Sequence, residues 1–134
     1  FYDEIDMMGF RLRNTGLQMV LDPHVPEKIE EHFDQILLPF LEKNEVKIED
    51  LEHFVFHPGG KKIVKITEEL LHAMGRHIDD TRAVLKEYGN MSSATVLYVL
   101  HRYMQKEIPA GDLGLMLSFG PGFSAQRVVM EWTE

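Results

Sequence analysis

The chain has 134 residues, of which 44% are hydrophobic and 27% charged, which is the composition of one globular domain. Its 22 acidic and 14 basic residues give a formal net charge of −8, which argues against binding to nucleic acid and against docking on an anionic membrane. The absence of cysteine excludes disulfides, cysteine-based metal sites and a cysteine nucleophile within the chain.

Neither a membrane span nor a leader is evident in the sequence. The longest apolar run, residues 94–100, is far shorter than the roughly 20 residues that span a bilayer. No charged-then-apolar segment opens the chain, which begins at Phe1 rather than Met. We therefore expect a cytoplasmic domain that forms part of a longer protein.

The hydrophobic pattern predicts a single α/β domain over residues 1–134. Phe10–Asp22 is predicted to be extended, with a turn or bulge at Asn14-Thr15-Gly16. A helix is expected from Pro26 to about Lys43, with Pro39 kinking it or ending it early. The other predicted elements are a buried strand at 53–57, helices at 61–70, 79–88 and 91–107, and strands at 111–120 and 123–133. Asn90 is expected to be the N-cap of the helix at 91–107.

Residues able to carry chemistry are concentrated in three segments, of which the first is 56–60. His57 ends the buried strand, at the edge where open α/β sheets bind ligands. Gly59 and Gly60 would let the backbone approach a ligand closely. The alternative is that His57 is simply a strand-terminal residue in a turn.

The other two segments are residues 89–94 and 118–123. Asn90 is either a plain helix cap or an amide donor to a developing oxyanion. Gly120-Pro121-Gly122 suits a tight turn between two strands, and such a loop can also form the wall of a cavity.

The strings HPGGKKI, YGNMSSATVLYVL and SFGPGF, in this order, resemble the C-terminal half of the type III polyketide synthase family, which includes chalcone and stilbene synthases. The resemblance begins near Met8, continues through NTGLQMVLDPHVP and ends at VVMEW. It implies an α/β chain with the C-terminal half of a thiolase-like fold, in which a mixed β-sheet packs with helices.

The resemblance also implies a reaction. The family uses a Cys-His-Asn triad to condense malonyl-CoA onto an acyl-CoA starter with loss of CO₂, and needs no cofactor besides these CoA thioesters. By resemblance, His57 is the histidine and Asn90 the asparagine of that triad. The cysteine belongs to the family's N-terminal half, so this chain alone is expected to be inactive.

Further residues are implied to contact substrate or CoA. They are Met19, Gly59, Gly60, Ser92, Ser118, Phe119, Gly120, Pro121 and Gly122. Two positions depart from the family pattern. Met19 stands where plant members usually carry a gatekeeping phenylalanine, and Ser118 replaces the first glycine of the G-F-G-P-G loop. Both changes bear on the choice of substrate.

No metal site is expected. The histidines are scattered, apart from His53 and His57 on one face of a strand, and no HExxH or similar ligand spacing occurs.

Two functional interpretations remain. The chain is either half of a condensing enzyme or an interaction module that uses the same half-fold without chemistry. A hydrolase with His57 as a lone base lacks a nucleophile and an orienting carboxylate. The expected partners are the cysteine-bearing N-terminal half and a second copy of the chain, because the helix at 91–107 is apolar around most of its circumference.

Overall fold

The computed structural model describes residues 2–72 and 75–133, and its fold is α/β, as predicted. The strands are β1 (Met8–Arg13), β2 (Gly16–Leu21), β3 (Leu51–Phe56), β4 (Leu113–Gly120) and β5 (Ser124–Glu131). The helices are α1 (Val25–Lys43), α2 (Lys61–His72), α3 (Asp79–Tyr88) and α4 (Ala94–Met104), with 3-10 turns at Tyr2–Met7 and Ile48–Asp50.

α1 ends at Lys43, as predicted, and Pro39 does not end it early. The bounds of α4 differ from the predicted 91–107. α4 begins at Ala94 with Ser93 as its N-cap, so the prediction that Asn90 caps this helix is wrong. Ser92 has a φ of 61°, and this left-handed conformation interrupts the helical path between Asn90 and Ala94.

β3, β4 and β5 form a mixed sheet with two differently covered faces. β3 and β4 are parallel, whereas β4 and β5 are antiparallel. Leu115 and Leu117 lie in the main core with α1 and α2, while the opposite face carries Val55 and Met116 beneath α3 and α4. Since side chains alternate along a strand, His57 and Ser118 continue this second face.

β1 and β2 form a separate antiparallel hairpin, with Phe10 opposite Met19. Two backbone hydrogen bonds lie at its base: Asp22 N donates to Met7 O at 2.7 Å and closes the hairpin, and Gly122 N donates to Met8 O at 2.7 Å and joins it to the turn after β4. Within the described residues, no helix is both long enough and apolar enough to cross a bilayer.

Candidate active site

A cavity of about 440 Å³ lies where β3 and β4 end, between the hairpin and the N-terminal end of α4. Four segments form it: the hairpin, the turn after β3, the loop before α4, and the end of β4 with its following turn. Its lining contains no acidic residue, lysine or arginine, and consists of Met8, Gly9, Phe10, Met19, Val20, Leu21, His57, Gly59, Ile63, Asn90, Met91, Ser92, Ser93, Val96, Ser118, Phe119, Gly120, Pro121 and Gln126.

His57 enters this cavity directly after β3. Its backbone N–H donates to Leu117 O at 2.9 Å, which extends the parallel pairing by one residue and holds the start of the turn. A Cβ atom at Gly59 would lie 2.9 Å from Ile63 Cδ1, and 3.9 Å from His57 Nε2. Glycine at position 59 therefore lets the turn fit between the imidazole and α2.

Burial lowers the pKa of His57 below its ordinary value of 6.5. This shift favours the neutral imidazole at pH 7, in which one ring nitrogen carries a hydrogen that it can donate.

Asn90 is fixed by two hydrogen bonds of opposite polarity. Its Nδ2 donates to Gly59 O at 2.9 Å, and its Oδ1 accepts from Ser92 N at 2.8 Å. Rotating the amide by half a turn would put donor against donor and acceptor against acceptor, so the orientation is determined. One hydrogen of Nδ2 stays available, because the amide nitrogen has two and Gly59 accepts only one.

Thr95 holds the loop that carries Asn90. Its side chain is fully buried, and its Oγ1 accepts a hydrogen bond from Met91 N at 2.7 Å. The same hydroxyl lies 2.9 Å from Ser92 O and 3.4 Å from Asn90 Oδ1. The loop is therefore held from within the core at the first turn of α4.

The structure brings most of the sequence-predicted residues to this one cavity. His57 and Asn90 both line it, and seven of the nine residues implied for substrate or CoA do so as well: Met19, Gly59, Ser92, Ser118, Phe119, Gly120 and Pro121. Gly60 instead borders an adjoining cavity of about 280 Å³, together with Lys61 and Lys62. Gly122 lines neither of these cavities.

Sequence reasoning missed Phe10 and Gln126, which also line the larger cavity. Phe10 could have been found as the hairpin partner of Met19. Gln126 could have been found as the position opposite Ser118, once β4 and β5 were paired across the Gly-Pro-Gly turn.

His53, the other histidine of the buried strand, makes its contacts away from the cavity. His53 Nε2 lies 2.9 Å from Asp112 Oδ2, and the His53 ring packs edge-on against Trp132.

Among the described residues, Glu4, Glu31 and His32 are close enough to resemble a metal site. The ammonium of Lys28 lies 3.0 Å from Glu4 and 2.7 Å from Glu31, so both carboxylates already form ion pairs with this lysine.

The chain is similar to known proteins over nearly its whole length. Residues 3–133 match the family model of chalcone and stilbene synthases, C-terminal domain. The chain is 32% identical over 124 residues to phloroglucinol synthase of Pseudomonas fluorescens, covering 92% of this chain and 36% of that protein. It is 30% identical over 131 residues to 1,3,6,8-tetrahydroxynaphthalene synthase of Streptomyces peucetius, covering 97% and 35%.

Solved structures show the same relationship. The crystal structure of 1,3,6,8-tetrahydroxynaphthalene synthase from Streptomyces coelicolor, a bacterial type III polyketide synthase, superposes with a TM-score of 0.88 at 28% identity, covering 100% of this chain and 38% of that one. The chain thus spans about a third of the length of these relatives. It belongs to the family of chalcone and stilbene synthase C-terminal domains, with the thiolase-like half-fold of type III polyketide synthases.

Proposed function

We propose that the chain is the C-terminal half of a type III polyketide synthase that condenses malonyl-CoA onto an acyl-CoA starter in the cytoplasm. The observation that supports this most strongly is the convergence of His57 and Asn90 across Gly59 on one cavity without charged lining residues. The nucleophilic cysteine comes from an N-terminal half, because this chain contains none.

His57 and Asn90 stabilise the negative charge that develops during decarboxylation. The bond between the malonyl carboxylate and its α-carbon breaks, CO₂ leaves, and the electron pair becomes an enolate on the thioester. A neutral imidazole N–H and the free amide N–H donate to the enolate oxygen. Neither is acidic enough to protonate the nucleophilic carbon readily, so the carbanion character survives for the next step.

The enolate carbon then attacks the acyl group carried by the partner half's cysteine. The new carbon–carbon bond forms as the carbon–sulfur bond breaks, and the cysteine leaves as a thiolate. The same two donors serve the tetrahedral oxyanion of this step. Lys61 and Lys62, on the adjoining cavity, offer ammonium groups complementary to the phosphates of CoA.

The second candidate is a non-catalytic interaction module of the same half-fold. It is favoured by the missing cysteine and by the apolar surface of α4, where Leu97 and Met104 are 57% and 67% exposed. The two candidates differ in what the chain is joined to, which the reading frame upstream of Phe1 determines. A thiolase-like half with a reactive cysteine there supports the enzyme, and its absence contradicts it.

The chemical test uses the complete reading frame. Asn90→Ala and His57→Ala should each lower the rate of malonyl-CoA decarboxylation by about 10²–10³-fold, the usual loss for one oxyanion donor. The matched control is Asn14→Ala, in the exposed hairpin turn, which should retain full activity. Unchanged decarboxylation in Asn90→Ala would limit Asn90 to its role in the loop.

The chain without its partner half should form no condensation product and no covalent acyl adduct with acyl-CoA. An acylated chain seen by mass spectrometry would contradict this proposal.

A further inference from the structure

Three polar residues lie side by side across β3, β4 and β5, and we call them the polar row: His57, Ser118 and Gln126. Phe56 pairs with Leu117, and the bond from His57 N to Leu117 O brings His57 next to Ser118. Ser118 pairs directly with Gln126. Neighbours in such a row have Cβ atoms about 5 Å apart and point to the same face of the sheet. All three line the cavity.

Ser118 and Gln126 have no side-chain hydrogen bond to any other residue that the structure describes. Nearby polar side chains of β5 are engaged: Ser124 Oγ donates to Pro121 O at 3.2 Å, and Arg127 donates to Ile36 O. Polar groups that are left free beside an otherwise apolar surface are typical of the few groups that orient a ligand.

The chemistry of the lining restricts the ligand. Because no lysine, arginine or acidic residue lines the cavity, it favours the uncharged part of a ligand, such as the acyl chain that remains once the malonyl carboxylate has left as CO₂. Ser118 offers one O–H donor and Gln126 offers two N–H donors, so the row suits a ligand with a series of acceptor oxygens. A saturated acyl chain has no such oxygen beyond its thioester, whereas each condensation adds a keto group.

We infer that Ser118 and Gln126 form a specificity-determining subsite that hydrogen-bonds the keto oxygens of the growing poly-β-ketoacyl chain next to His57. This inference rests on the proposed function. His57 serves the thioester oxygen at one end of the row, and Ser118 and Gln126 hold oxygens further along the chain. The subsite favours elongated intermediates over the starter and keeps them bound for the next extension.

The test uses the complete enzyme with malonyl-CoA and hexanoyl-CoA as the probe starter. Ser118→Ala and Gln126→Glu each remove donors at nearly constant volume. Each should lower the ratio of the longest product to the triketide product by about two- to tenfold, the usual effect of one hydrogen bond. Both variants should still decarboxylate malonyl-CoA measurably, which reports that each variant is folded. Ser118→Thr, which retains a hydroxyl, should recover part of the ratio.

The matched control is Gln35→Glu on the exposed side of α1, which should leave the product ratio unchanged. An unchanged ratio in both Ser118→Ala and Gln126→Glu, with condensation intact, would overturn the inference and leave the proposed function standing. A wild-type complete enzyme that forms no condensation product would overturn the proposed function itself, and the inference with it.

Discussion

α1 and α4, on opposite sides of the β3–β4–β5 sheet, differ in how completely their apolar side chains are buried. α1 is rich in charged residues, yet its apolar side is closed, with Phe33 and Leu37 each 1% exposed. α4 has few charged residues and still leaves Leu97, Tyr98 and Met104 43–67% exposed. The less polar helix is therefore the less covered one. One side of the sheet is a complete core, whereas on the other side apolar side chains of α4 remain exposed.

The largest expected effect tests the closed side. Phe33→Ala should lower the free energy of unfolding by about 3–5 kcal/mol, because it leaves a cavity in a fully packed core. Leu97→Ala, on the open side, should change it by less than about 0.5 kcal/mol in the monomer. Urea unfolding at a concentration where the chain is monomeric measures both changes. Similar losses of stability in the two variants would contradict the difference between the two sides of the sheet.

The second largest effect is expected in the self-association of the chain through the exposed face of α4. The chain without an N-terminal half should form a two-fold dimer at micromolar concentration through α4, where a second copy substitutes for the missing contacts. Leu97→Glu combined with Met104→Lys should weaken this dimer by about 100-fold, because charges would be buried at the contact. Sedimentation velocity measures the change.

The control for this prediction is Leu38→Glu, at an exposed position of α1, which should leave the dimer intact. A wild-type chain that stays monomeric at micromolar concentration would show that the exposed face of α4 does not drive association.

A smaller effect should come from the loop before α4. Thr95→Val should lower the free energy of unfolding by about 1–2 kcal/mol, because Met91 N loses its buried acceptor. Thr95→Ser retains the hydroxyl and should recover most of the loss. Urea unfolding of the two variants compares them, and equal losses would show that the methyl group, not the hydroxyl, holds the loop.

The smallest effect is the titration of His57. Burial lowers its pKa, so the unfolded chain takes up a proton before the folded chain does as the pH falls. The stability contributed by the neutral imidazole is present above pH 6.5 and decreases as the pH falls through the lowered pKa. An NMR titration of the His57 ring should give a midpoint below 6.5. A midpoint at or above 6.5 would show that burial does not lower the pKa of His57.

Most of the fold follows from local sequence patterns. Repeating apolar residues predict α1 and α2 within a few residues, because one side of each packs against a core within the chain. The position of Asn90 is not local. An asparagine before an apolar run is a strong N-cap signal, but Asn90 bonds to Gly59, 31 residues earlier in the chain. Only the assembled fold brings those two residues together.

The candidate site, like the fold, is only partly predictable from local sequence patterns. The glycine-rich motifs locate His57 and the turn after β4, because glycine is needed where the backbone turns tightly. Gln126 carries no motif. It reaches the cavity only through its register with Ser118, and a shift of one residue would turn it to the opposite face. Motifs therefore identify the backbone of the site, whereas strand register decides which side chains complete it.

Two side chains of the β1–β2 hairpin contribute to the wall of the cavity but not to the hydrophobic cores that stabilise the chain. Phe10 and Met19 line the cavity, yet they are 53% and 63% exposed and lie outside both hydrophobic cores. Random substitutions at these two positions should therefore leave folding nearly unaffected while changing which ligands fit. In evolutionary terms, the hairpin is a site where descendants of this chain can acquire new substrate preferences without first gaining extra stability.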